Sequence, residues 1–136
     1  MANEHELLIE TDIPISMTVA DGTGIERGSL MKMTDPNTAA LSDGDEDIIA
    51  GVLAEEKIAS DGKTSAPIYR GGTFKATASG SITVGDALIS HSSTGGPNIL
   101  ATAGVNAEDV VGISKETVAE GETFEYELRP RTNNLA

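Results

Sequence analysis

Apolar and polar positions alternate along this chain in short runs. Ile13, Ile15, Met17 and Val19 are separated by Pro14, Ser16 and Thr18. Phe74, Ala76 and Ala78 fall on one side of a second run. Phe124, Tyr126 and Leu128 alternate with Glu125, Glu127 and Arg129, the cleanest case in the chain. A period of two marks a strand with one buried face. Further strands are expected over 25–33, 48–58, 66–69, 87–91, 99–101 and 110–118. Turn residues separate them: Asp21-Gly22-Thr23-Gly24, Ser60-Asp61-Gly62-Lys63 and Ala119-Glu120-Gly121-Glu122. Polar loops are expected over 34–47 and 92–98. No stretch of useful length carries a helical period. Single helical turns are the most expected, at 54–57 and at Asn106-Ala107-Glu108-Asp109.

The alternation is organised as one unit written twice. Ile25-Glu26-Arg27-Gly28-Ser29-Leu30-Met31 opens the first copy, and Ile82-Thr83-Val84-Gly85-Asp86-Ala87-Leu88-Ile89 the second. Each continues through a polar loop to a second apolar stretch, Ile49-Ala50-Gly51-Val52-Leu53 and Val111-Gly112-Ile113. Each then reaches a Gly-containing turn, Gly62-Lys63-Thr64 and Gly121-Glu122-Thr123. The glycines are offset by 57, 61 and 59 positions, so length changes fall in loops. The expected fold is all-β: a small barrel or sandwich built from two similar β units. A bulge is expected at Gly51.

The expected division is an extended N-terminal arm over 1–20, a β domain over 21–130 and a polar tail over 131–136. Leu7-Leu8-Ile9 and Ile13-Pro14-Ile15 are the apolar stretches of the arm. Pro14 cannot donate to a ladder, which puts that strand at an edge or at a strand start. An apolar edge near a terminus suits pairing with another chain. On this reading, removing residues 1–15 leaves the domain folded.

Composition narrows the partners. Nine basic against 22 acidic residues give a net charge of −13. That opposes nucleic acid and anionic membrane surfaces alike. Ile, Leu, Val and Phe together number only 30 of 136 residues, and there is no Trp. A core this thin gains from assembly with other copies or a larger surface. Without Cys, disulfide, zinc-thiolate and thiol chemistry are excluded. The N-terminus lacks the basic start and apolar run of a signal peptide, and nothing has the length of a membrane span.

Candidate chemistry is sparse. His5 and His91 are the two histidines, and no Gly-x-Ser-x-Gly elbow accompanies them. His91 reads as a surface residue beside a polar loop. Asp43-Gly44-Asp45-Glu46-Asp47 starts like a calcium loop. However, Ile48 and Ala54 stand where the sixth-position Gly and twelfth-position Glu belong. A solvated acidic loop is the plainer reading. Gly62-Lys63-Thr64 lacks the upstream Gly of a phosphate loop and reads as a hairpin tip. No catalytic, cofactor or metal residue is assigned.

The openings at Gly28-Ser29-Leu30-Met31 and Gly85-Asp86-Ala87-Leu88, the returns at Ile49-Ala50-Gly51-Val52 and Val111-Gly112-Ile113, and the alternating last strand after Gly121-Glu122-Thr123 carry a resemblance. Over about residues 20–130 the chain resembles the head-decoration, or capsid cement, proteins of tailed double-stranded DNA viruses. The resemblance implies a non-enzymatic, mostly β protein on the outer surface of the virion. It implies homotrimers at three-fold or quasi-three-fold positions, clamping neighbouring major capsid subunits after head expansion. Arms of this family pair with the capsid protein. Here the arm residues would be Leu7, Leu8, Ile9, Ile13, Pro14 and Ile15. The competing reading is a ligand- or glycan-binding β module. Four aromatic residues, expected mostly in the core, count against the ring platform such a module needs.

Overall fold

The computed structural model describes residues 3–44, 47–93, 96–103 and 109–132. They form eleven strands, with no helix among the described residues: β1 (Glu6–Ile9), β2 (Ile15–Thr18), β3 (Leu30–Asp35), β4 (Thr38–Leu41), β5 (Ile49–Leu53), β6 (Ser65–Tyr69), β7 (Gly72–Ala78), β8 (Ala87–Ser93), β9 (Gly96–Thr102), β10 (Asp109–Ser114) and β11 (Thr123–Thr132).

The duplication is realised as two five-stranded barrels of one topology. The first closes in the order β2-β4-β3-β5-β6, and the second as β7, β11, β10, β8 and β9 with a β7–β9 pairing that shuts it. In both, the first strand meets the third in parallel: Thr18 opposite Thr38, and Thr77 opposite Ile99. All other neighbours are antiparallel. The bonds outside the ladders repeat too. Ile25 and Lys57 exchange both backbone bonds, as do Ile82 and Val118. Gly28 N–H donates to the Leu53 carbonyl, and Gly85 N–H to that of Ser114. Gly28 and Gly85 share a φ of +89°, a left-handed turn that an L side chain rarely adopts.

The middle glycines have a common cause. A Cβ on Gly51 would lie 1.9 Å from the Tyr69 carbonyl oxygen, and one on Gly112 2.0 Å from that of Glu127. Each sits where the penultimate strand of its barrel crosses close over the last. The β3–β5 register slips beside Gly51, between Met31 and Lys32, so the expected irregularity lies there.

The two cores differ. The first barrel is filled by Met17, Val19, Ile25, Met31, Ala39, Ala50, Leu53, Ala66 and Ile68. The second holds Phe74, Phe124 and Tyr126, with Leu88, Leu100, Val111 and Leu128. Leu30, Ile49 and Val52 leave the first barrel and join this second cluster. All five residues of β5 are therefore buried, with one side facing its own barrel and the other its neighbour. The barrels share a continuous apolar seam, and that burial supplies the main stabilisation of their packing.

Five expectations are corrected. Residues 1–20 are not a separate arm. β1 adds to β7 beside the second barrel, and β2 is a wall of the first, with Met17 and Val19 in its core. The alternation from Ile13 to Val19 is that of a barrel strand whose buried members are Met17 and Val19. The loop expected over 34–47 contains β4, in which Ala39 is buried; alanine and threonine give too weak an apolar signal to show it. The loop expected over 92–98 contains the start of β9. Residues 54–57 form bends leading to the Lys57 bridge rather than a helical turn. Of the turn expected at 106–109, Asn106, Ala107 and Glu108 lie outside the described residues. Arg131 and Thr132, assigned to the tail, belong to β11.

Candidate functional site

The N-terminal segment crosses both barrels, and chemistry and exposure concentrate there. His5 is 5% exposed. Its backbone N–H donates to the Gly28 carbonyl of the first barrel. Its ring reaches the second, where Nε2 donates to the Asn98 carbonyl at 2.8 Å and Nδ1 accepts from the Tyr126 hydroxyl at 2.5 Å. The Asn98 side chain returns the link, its Oδ1 accepting from Leu30 N–H of β3. Asn98 adopts a φ of +75°, a left-handed geometry asparagine tolerates better than most residues. The network thus pins the strap, the first barrel and the second barrel at one point.

Burial lowers the His5 pKa to about 4, only partly offset by the bond to Asn98. The ring is neutral at physiological pH, and both its nitrogens are engaged. Held between Tyr126 and Asn98, the ring acts as a link between the N-terminal segment and the second barrel. Burial also raises the Tyr126 pKa well above its ordinary value, so its hydroxyl stays a donor. His91 lies in β8 opposite Ile99, half-buried.

Next to His5 lies a cleft of about 450 Å³, walled by Glu4, Leu7, Arg27, Ala54 and Tyr69 among others. A hydrogen bond between Glu4 and Glu26 raises the pKa of Glu4 and lowers that of Glu26. Tyr69 hydroxyl donates to Glu10 at 2.9 Å, tying the segment after β1 to β6.

The acidic loop is used by the chain itself. The Asp47 carboxylate accepts from Ser42 hydroxyl and from the N–H groups of Asp43 and Gly44, and Asp43 pairs with Lys32 at 2.8 Å. Asp45 and Glu46 lie outside the described residues. Among the described residues no group of three or more acidic or histidine side chains is placed to hold a metal ion. The Gly62-Lys63-Thr64 stretch is a hairpin tip, with Gly62 at φ +86° and Lys63 N–H bonded to Asp61.

Lys57 is buried and reaches carboxylate oxygens of Asp21 at 3.0 Å and Asp61 at 2.7 Å. Burial works against its charge, but hydrogen bonds to Asp61 and Asp21 outweigh it and hold the pKa above the usual value. The second barrel has Val118 at this position. Lys57 caps the end of the first barrel.

The residues expected to contact a capsid divide. Leu7 packs against the core of the second barrel. Leu8 is 40% exposed, Ile9 52%, Ile13 84% and Ile15 45%, with Pro14 half-buried between them. Sequence reasoning missed the His5 network. Glu4 and Glu6 flank His5, so nothing local marks it as buried.

No protein family and no curated protein matches the chain. Among solved structures, the fold is similar to that of the head fiber gp8.5 N base in bacteriophage phi29. The TM-score is 0.54 at 17% identity, over 87% of this chain and 96% of that one. The likeness spans both barrels and establishes a shared fold.

Proposed function

We propose that this chain is a structural virion protein of a tailed double-stranded DNA virus, seated on the outer surface of the expanded head. The observation that carries the reading is the fold it shares with a phage head fiber base across most of both chains. The finer reading follows the resemblance to capsid cement proteins. The chain binds the major capsid protein as a homotrimer at three-fold or quasi-three-fold positions and clamps neighbouring subunits against internal DNA pressure. Many modest contacts repeated over a symmetric lattice give firm attachment without a large interface per copy.

The exposed apolar residues of the N-terminal segment support this role. Leu8, Ile9, Ile13 and Ile15 account for four of the seven exposed large apolar side chains among the described residues, the others being Ile48, Ile58 and Val84. Since β1 is paired to β7 and β2 is a strand of the first barrel, the segment acts as a fixed ridge rather than a trailing arm. The glycan-binding alternative finds no support in the aromatic residues: Phe74, Phe124 and Tyr126 are buried and Tyr69 is half-buried. Catalysis, a cofactor and nucleic acid have no part in the proposed role.

The test is binding of the purified chain to expanded, undecorated heads of the source virus, read by co-sedimentation. Saturable binding at a fixed ratio to the major capsid protein is expected. A chain that stays in the supernatant at every concentration contradicts the reading.

A further inference from the structure

Another cleft, of about 400 Å³, lies where the chain passes from β6 of the first barrel to β7 of the second. It is lined by Thr11 and Asp12, by Arg70 to Thr73 and by Glu127 to Pro130. The N-terminal segment is packed closely here. A Cβ on Gly71 would lie 2.0 Å from the Asp12 carboxylate, and one on Gly72 2.9 Å from the Ile9 carbonyl oxygen. Ile9 and Ile13 are exposed and lie within two residues of Thr11 or Asp12 along the chain.

The charges in this cleft are unequally satisfied. Arg129 is engaged by Glu127. Asp12 is exposed and solvated. Arg70 is half-buried, yet it forms no ion pair among the described residues, unlike Lys32, Lys57 and Arg129. An unpaired guanidinium partly withdrawn from water, in a chain of net charge −13, has one natural complement. A carboxylate accepts two parallel N–H bonds from its planar fork. Within the cleft, Arg70 is the guanidinium left without an ion pair among the described residues, Arg129 being engaged by Glu127.

We propose that this cleft receives an aspartate or glutamate side chain of the protein on which the chain docks, projecting from an apolar segment that packs on Ile9 and Ile13. The inference rests on the head-binding reading and adds the chemistry of the partner. Arginine is among the side chains enriched at the energetic centre of interfaces.

The experiment measures binding of the full chain and its variants to expanded heads by co-sedimentation, with circular dichroism as a check of folding. Arg70→Gln is expected to weaken binding about tenfold or more, and Arg70→Glu further, while Asp12→Asn binds at least as well as the wild type. Ile13 is almost fully exposed, so its variants leave the fold intact even if those at Arg70 do not. Ile13→Glu, which sets a like charge before the incoming carboxylate, is expected to bind at least about fivefold more weakly than Ile13→Lys. Equal binding by Ile13→Glu and Ile13→Lys, or wild-type binding by folded Arg70→Gln, overturns the inference alone. A wild-type chain that fails to bind heads overturns the head-binding reading and this inference with it.

Discussion

The imidazole Nδ1 of His5 lies 2.5 Å from the hydroxyl of Tyr126, 121 positions along the chain. This bond joins the N-terminal strap to the last strand of the second barrel. The ring's other nitrogen and the backbone N–H of the same residue reach β9 and the first barrel. Removing the hydroxyl leaves a buried ring nitrogen without its donor. Tyr126→Phe is expected to lower unfolding free energy by about 1–3 kcal/mol, measured by urea denaturation. An unchanged midpoint would mean the bond contributes nothing.

The same histidine sets a dependence on pH. Its pKa is about 4 when folded, against an ordinary 6.5, so the unfolded chain takes up the proton first as pH falls. The contribution is fully present above pH 6.5 and is lost between 6.5 and about 4. The shift corresponds to about 3 kcal/mol at order of magnitude. His5→Gln, which keeps a donor and an acceptor but no titration, is expected to flatten that part of the stability profile. A variant whose profile parallels the wild type over this window would place the acid sensitivity elsewhere.

The middle glycines should behave as a pair. Gly51→Ala and Gly112→Ala each drive a methyl group into a backbone carbonyl, and each is expected to cost about 3 kcal/mol or prevent folding. Gly22→Ala, with nothing within 4 Å of its added carbon, is expected to change the melting temperature by no more than about a degree. Similar melting temperatures for all three would contradict the close crossing of strands in both barrels.

Removing residues 1–9 tests the strap. The sequence pattern suggested that residues 1–15 could be removed without loss of the fold. Ile15 begins a barrel strand, and His5 and Leu7 are packed against the cores. The shorter deletion is expected to cost about 3 kcal/mol or more through lost hydrogen bonds and apolar burial, seen as a lower urea midpoint. An unchanged midpoint would restore the reading of a free arm.

The duplication was legible because its glycines answer to backbone geometry, which tolerates no substitute. Gly28 and Gly85 share a left-handed turn, and Gly51 and Gly112 share a crossing strand, so the spacing survives where the surrounding side chains differ. Strands with bulky alternating residues, such as β7 and β11, were equally plain. β4 was not, because Thr38, Ala39 and Ala40 carry little hydrophobic contrast. His5 was hidden for a related reason. Its burial arises from Asn98 and Tyr126, contacts that a local pattern cannot contain. The exposure of Ile13 was also invisible, since an alternating stretch does not say which of its members leave the barrel.

The most direct test of the account is cryo-electron microscopy of expanded heads incubated with the purified chain. Saturable extra density is expected at three-fold or quasi-three-fold positions, fitted by the two barrels, with Ile9 and Ile13 turned toward the capsid. Heads without added density, or density whose contact surface lies away from the N-terminal segment, would contradict it.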